Sequence, residues 1–203
     1  MRIILASGSP RRRELLSEIG LEFEIHKPDA DEAHSDNENP EELCRRLSRL
    51  KALAVANDFS DSLIIAADTI VVIDGKILGK PHDRNDACKM LRMLAGREHE
   101  VLTGVSVCLG KKIITHSEST KVKFRNLTDS EILAYVSTGE CDDKAGAYAV
   151  QGKGSLLIES LNGDYYNVVG LPLCALGKIL ENFGIKIETI IRGEQYGYTK
   201  TWN

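Results

Sequence analysis

The sequence predicts an α/β protein built on a mixed, twisted β-sheet flanked by helices. Three observations carry this. Strand-like and helix-like stretches interleave along all 203 residues, and 42% hydrophobic content supplies a core for one domain. The order is not a strict strand–helix–strand alternation, because "HEVLTGVSVCLGKKIITHSESTKVKFRN" reads as two long strands folded back on each other around Gly110. The apolar run "SLIIAADTIVVIDGKILGK", closed by Asp74-Gly75, reads as a central strand turning into a hairpin.

The elements follow in chain order. "RIILA" is a first strand. Ser9 then stands as N-cap with Pro10 at the first helical position, and Leu15, Leu16 and Ile19 form the apolar stripe of a helix. "LEFEIHK" alternates as a second strand, and "PDADEAHSDNEN" is a polar loop. From Pro40 a long helix is predicted, with Leu43, Leu47, Leu50 and Ala54 as its core face and Arg45, Arg46, Arg49 and Lys51 on other faces. Ala87, Met90, Leu91 and Leu94 mark a further helix that ends at Gly96. Thr128 and Glu131 form a capping box for a helix stopped by Gly139. The last third supplies a strand, an Asn162-Gly163 turn and a helix carried by Leu173, Leu176, Leu180 and Phe183. No repeat or linker divides the chain, so residues 1–184 are expected to form a single domain, in one lobe or two, and 185–203 an extension without an assigned role.

The net charge of -4 argues against a duplex-binding protein with a wholly basic surface, so nucleic acid is not an expected partner. Five scattered cysteines without a CxxC pair read as reduced core thiols, and no stretch is long and apolar enough to span a membrane; the expectation is a cytoplasmic protein. The five histidines lack zinc-ligand spacing, no serine sits in GxSxG, and GxxxxGK[ST] is absent.

What remains is chemistry for an anion. Arg11, Arg12 and Arg13 crowd the amino end of the first helix, where partial positive charge already accumulates, so a negative partner is missing there. Asp68 interrupts an apolar strand, a placement that is rare without a partner or a task. The acidic pair Asp31-Glu32 suits a hard divalent cation, against the plainer alternative of a solvated acidic loop. Lys51 and Lys80, taken singly, are ordinary solvated lysines. "KAGAYAVQGKGS" is a glycine-rich bend with Lys144, Gln151 and Lys153, whose backbone could come close to a ligand. Together these groups suit a polyphosphate with a divalent metal.

"LASGSPRRRELL", "AADTIVVIDGKILGKP", "MLRMLAGREHEVLTGVSV" and "DKAGAYAVQGKGSLLIESLNGDYYNVVGLPL" resemble, in order, the motifs of the Maf family of nucleoside triphosphate pyrophosphatases, as far as about Phe183. The resemblance implies an inosine triphosphate pyrophosphatase-like fold and a cytoplasmic, often homodimeric enzyme. It implies cleavage of a nucleoside triphosphate to monophosphate and pyrophosphate with Mg²⁺ or Mn²⁺. It implies Asp68 as general base and as a metal ligand with Glu32. Ser9, Arg11, Arg12, Lys51 and Lys80 are implied at the phosphates, while Arg11, Thr69 and Gln151 match the subgroup acting on dTTP and UTP. A glutamine suits that choice, since one amide both donates and accepts toward a uracil or thymine edge. A nucleotide-binding regulator of cell division that acts through a protein partner without turnover is the alternative.

Overall fold

The computed structural model describes residues 1–30, 32, 33 and 38–193. One seven-stranded sheet runs in the order β2-β1-β3-β5-β6-β7, with β4 attached to β3 beside this path. The strands are β1 (Ile3–Leu5), β2 (Glu24–Ile25), β3 (Leu63–Ile73), β4 (Lys76–Leu78), β5 (Glu98–Leu109), β6 (Lys112–Phe124) and β7 (Ile158–Asn162). β1 pairs parallel with β2 and β3, and every other pairing is antiparallel, which makes the sheet mixed as the sequence predicts. The helices are α1 (Pro10–Glu18), α2 (Pro40–Ala56), α3 (Arg84–Leu94), α4 (Asp129–Ser137), α5 (Tyr165–Val169), α6 (Leu173–Glu181) and α7 (Ile187–Arg192). Among the described residues no helix is long and apolar enough to cross a membrane.

Strand alternation sorts the core into layers. On one face of β3, Ile64 and Ala66 pack against Ala52 and Val55 of α2, and Ile70 packs against Leu43, Cys44 and Leu47 of the same helix. On the other face, Leu63, Ile65 and Ala67 meet Leu15 and Leu16 of α1 and Leu176 and Leu180 of α6. Farther along that face, Val71 and Ile73 join Leu91 and Leu94 of α3 and Ile132 and Val136 of α4. Thr69 lies at the seam between these two groups of helices.

The long β5–β6 hairpin turns at Gly110, whose φ of 57° is the left-handed conformation such a turn needs. α4 carries the capping box expected of Thr128 and Glu131. Elsewhere the sequence expectations need correction. "LEFEIHK" contributes only the two exposed residues of β2 at the sheet edge, while Leu21 is buried in the core and Phe23 packs against it ahead of the strand. The chain bends at Gly163 as expected, with φ 132°, but a helix that the sequence reading lacked, α5, follows at once, capped by Asp164, which accepts the Tyr166 N–H at 2.8 Å. Ser9 occupies the N-cap position of α1, yet its side chain makes no cap; Ser7 Oγ accepts the Ser9 N–H at 3.1 Å.

The largest correction concerns α2. Its buried residues are Leu43, Cys44, Leu47, Ser48, Lys51, Ala52 and Val55, whereas Leu50 is exposed and Ala54 lies half-buried. Lys51 thus belongs to the core-facing stripe, not to the solvated faces. Small residues make this stripe possible. Gly104 of β5 stands opposite Asp68, and a Cβ there would lie 2.1 Å from the Cys44 carbonyl oxygen, so the α2 backbone rests directly on the sheet.

Candidate active site

The sheet has an opening beside the middle of β3. β1 covers one edge of β3 only as far as Ile65, whose carbonyl accepts the Ala6 N–H at 2.8 Å, and β4 covers it again from Val71. Backbone groups of successive residues point to alternate edges, so those of Ala67 and Thr69 face the uncovered interval. Side chains from both faces of the sheet can meet there.

From the α2 face comes a charged trio. Lys51 Nζ donates to Asp68 Oδ1 at 2.5 Å and to Glu32 Oε2 at 2.9 Å. Lys51 and Asp68 are each only 8% exposed, so neither charge is tolerable without the other. Glu32 is exposed and closes the trio from the solvent side.

From the opposite face comes Arg12. Its Nε donates to the Gly170 carbonyl at 2.7 Å, Nη1 to Ser7 Oγ at 3.3 Å and Nη2 to Thr69 Oγ1 at 3.0 Å. Burial works to lower the Arg12 pKa below its ordinary value, while the charges of Asp68 and Glu32 oppose that. The two acids therefore act on Arg12 as well as on Lys51, and the guanidinium stays cationic. Behind Thr69, Thr103 Oγ1 lies 2.9 Å away and donates to the Asn167 carbonyl at 2.9 Å. Burial first, and then the charge of Asp68, push the nearby Cys44 thiol up to about 12, so it is no nucleophile.

Both carboxylates lie within a hydrogen bond of one Nζ atom, so a single cation can meet both. Two carboxylates are what Mg²⁺ or Mn²⁺ typically takes from protein when phosphate oxygens and water complete its shell, and the donor set fits such an ion. Among the described residues no cluster of three or more His, Cys, Asp or Glu side chains is arranged for a metal.

The structure thus brings Arg12, Glu32, Lys51, Asp68 and Thr69 together. It does not bring in the others by direct contact. Arg11 Nη1 pairs with Glu14 Oε2 at 2.8 Å on the exposed side of α1. Lys80 is exposed beyond the β3–β4 hairpin, and its charge is felt at Asp143. There partial burial works to raise the carboxyl, but hydrogen bonding to Lys144 and the charges of Lys144 and Lys80 hold it below its ordinary value. Gln151 is half-buried at the start of a 3-10 turn spanning Gly152–Leu157, and no hydrogen bond of its side chain is present among the described residues. Asp31 lies outside the described residues, as do residues 194–203 of the extension.

The glycine-rich bend does not offer its backbone to a ligand at Lys153 and Gly154. The Glu140 carboxylate accepts both N–H groups, Lys153 at 3.0 Å and Gly154 at 3.3 Å. Gly146 packs against Val71, with room for no Cβ beyond 3.0 Å, so this bend rests on β3 three residues from Asp68.

Ser7, Thr103, Gly104, Glu140, Asn167 and Gly170 are the participants that sequence reasoning misses. Only Asn167 carried a readable signal, a polar residue inside the apolar segment "YYNVVGLPL".

The chain has clear relatives among known proteins. The family model described as Maf-like protein matches residues 2–183. A protein of Acetivibrio thermocellus named dTTP/UTP pyrophosphatase is 48% identical over 196 residues, covering 92% of this chain and 98% of that protein. Proteins of the same name from Pyrococcus furiosus, 48% identical over 93% of this chain and 98% of their own length, and Caldanaerobacter subterraneus subsp. tengcongensis, 49% identical over 97% and 95%, are similarly related. Among solved structures, the Ham1 protein of Staphylococcus aureus aligns with a TM-score of 0.53 at 15% identity, over 90% of this chain and all of that one, which is a likeness of fold.

Proposed function

We propose that this chain, which belongs to the Maf family, uses the opening beside β3 to hydrolyse dTTP and UTP to the nucleoside monophosphate and pyrophosphate. The observation that carries the reading is the meeting of Lys51 with Asp68 and Glu32 from one face of the sheet and Arg12 from the other. Relatives at 48–49% identity named dTTP/UTP pyrophosphatase support the substrate choice.

Asp68 has the arrangement of a general base. Its Oδ1 is held by Lys51, which leaves Oδ2 to take the proton of a water that attacks the α-phosphorus. Lys51 and Arg12 stabilise the charge that builds on the phosphoryl oxygens, with both cations fixed beforehand and no reorganisation needed. A divalent cation held by Glu32 and Asp68 neutralises phosphate charge when bound. Lys80, Arg11, Ser9 and Gln151 complete the proposed substrate contacts, with Gln151 on the base edge. The protein works as a soluble cytoplasmic domain on a small-molecule substrate, with residues 1–184 carrying the activity.

Incubation with a panel of nucleoside triphosphates and Mg²⁺ or Mn²⁺ tests this, with products identified by chromatography. UTP and dTTP are expected to yield monophosphate and pyrophosphate, and Asp68→Asn is expected to remove at least about 10²-fold of turnover. Diphosphate and orthophosphate as products would exclude the reaction. Tight calorimetric binding of dTTP without any turnover would favour the regulator instead.

A further inference from the structure

The hydrogen bonds behind Thr69 settle a question of polarity that bears on which ligand groups it accepts. A carbonyl only accepts, so the single hydroxyl proton of Thr103 goes to the Asn167 carbonyl at 2.9 Å. Thr103 therefore has none left for Thr69, and the 2.9 Å contact between the two hydroxyls must be donated by Thr69. A guanidinium only donates, so Thr69 Oγ1 accepts from Arg12 at 3.0 Å. The chain runs in one direction, from Arg12 through Thr69 and Thr103 to the Asn167 carbonyl. What Thr69 has left for the opening is one lone pair and no proton.

The surroundings hold this direction in place. Thr103 and Asn167 are fully buried, so neither exchanges its partner for water. The Asn167 amide donates to the Val101 carbonyl at 2.9 Å and to Thr120 Oγ1 at 3.0 Å, which anchors the residue whose carbonyl ends the chain. Gly170, three residues on, accepts from Arg12 Nε and has no side chain to cover Thr69 Oγ1. Thr69 itself is half-buried, and its backbone borders the uncovered edge of β3.

We propose that Thr103 is a positioning residue for ligand selection: by fixing Thr69 as a pure acceptor, it makes the site choose a ligand that brings an N–H or O–H donor to that oxygen. The choice of ligands rests on the pyrimidine nucleotide reading above. Two groups of such a nucleotide have this chemistry: a hydroxyl of the sugar, and the single imide N–H of uracil or thymine where Gln151 meets only the carbonyls and leaves that proton to Thr69. Cytosine presents a lone pair where uracil presents the imide N–H, so an acceptor-only oxygen repels it. Thr103 touches no ligand; it acts through Thr69.

The test compares wild type with Thr103→Val, which has the same shape without the hydroxyl, and Thr103→Ser, which restores it. kcat/KM is measured for UTP, CTP, 2′-deoxy-UTP and 2′,3′-dideoxy-UTP, and the affinities of hydrolysis-resistant UTP and CTP analogues by calorimetry. In Thr103→Val the Thr69 hydroxyl loses its acceptor and is free to turn its proton to the cleft. The preference of UTP over CTP, or of hydroxyl-bearing over deoxy sugars, should fall about three- to tenfold, and Thr103→Ser should bring it back. A falling UTP/CTP ratio identifies the imide as the donor, and a falling sugar ratio identifies the hydroxyl. Both ratios unchanged in folded Thr103→Val would overturn the proposal. Should that variant fail to fold, Thr103→Cys, with its weaker S–H donor, carries the same test: a shift in the same direction supports the relay and unchanged ratios overturn it. The calorimetric ratios judge the relay independently of turnover, whereas absence of pyrophosphate release from wild type would count against the proposed reaction alone.

Discussion

Gly104→Ala asks how closely fold and site are joined. A Cβ at this position lies 2.1 Å from the Cys44 carbonyl oxygen, 2.4 Å from its carbon and 2.9 Å from the Arg45 nitrogen. Ordinary contact begins near 3.4 Å, so α2 must retreat by about 1.3 Å at Cys44 or the strand must bend. Backbone, not a flexible side-chain tip, is what the methyl meets. Lys51 is two turns farther along α2, roughly 10 Å at 1.5 Å per residue, and moves with the rod. A retreat of this size stretches the 2.5 Å contact from Lys51 to Asp68 to about 3.8 Å, past the reach of a hydrogen bond. Overpacking of this kind costs about 1–3 kcal/mol or somewhat more, and a displacement of about 1 Å at a reacting group costs on the order of 10²-fold in rate. Urea unfolding and steady-state release of pyrophosphate from UTP measure the two effects. Gly79→Ala serves as the stability control, since nothing lies within 4 Å of a Cβ there and its φ is ordinary. Gly104→Ala with wild-type stability and turnover would refute the claim that direct contact between α2 and β5 places Lys51.

The core also carries a pH response. Burial pulls His99 from 6.5 down to about 4, so the unfolded chain binds the extra proton between these values and stability is lost as pH falls from about 6.5 to about 4. At about 1.36 kcal/mol per unit the loss approaches roughly 3 kcal/mol, and denaturant titrations at several pH values should show it in wild type but not in His99→Gln; parallel curves would contradict it. Glu140→Ala frees the Lys153 and Gly154 N–H groups and should cost about 1 kcal/mol while speeding amide exchange across 152–154, measured by mass spectrometry. Unchanged exchange there would show that the clasp does not hold the bend that carries Gln151.

The sequence made the order of elements readable wherever a pattern was local. The apolar run around Asp68 reads as a central strand because it is buried on both faces, and an acid within it stands out for the same reason. α2 was readable as a helix but not in its orientation. Counting apolar residues at helical spacing chose Leu50 and Ala54, while the helix in fact buries Ser48 and Lys51, whose partners Ser106 and Asp68 lie 58 and 17 residues away. A polar residue reads as solvated until its distant partner is known. Thr103 is hidden likewise, and although Asn167 stands out as a polar residue in an apolar segment, the bond that joins the two across 64 residues goes to a backbone carbonyl that no side-chain pattern announces. The arginines at the start of α1 show the converse. Their cationic excess was readable, but only the tertiary structure separates Arg12, held by Gly170 and Thr69, from Arg11, which turns back to Glu14.

Charge at the opening leads to a last expectation. Lys51 and Arg12 face Asp68 and Glu32, two cations against two carboxylates, so these four groups sum to nearly zero. Arg11, paired with Glu14, brings no net charge until substrate draws it from that partner. A triphosphate brings several negative charges and meets two carboxylates that cannot leave, as the buried one is fixed by Lys51. Lys80 stands apart from these four groups, so at the pair of acids the attraction would come from a cation that arrives with the ligand or before it, and a divalent ion held by Glu32 and Asp68 would both offset their repulsion and add its own pull. Binding of a hydrolysis-resistant UTP analogue is therefore expected to strengthen at least tenfold when Mg²⁺ is added to metal-free protein. Glu32→Gln should narrow that gain, because with one carboxylate neutralised the nucleotide alone meets less repulsion and the metal loses a ligand. Equal affinity with and without the metal, in wild type and variant alike, would mean that the phosphates lie elsewhere than beside this pair of acids.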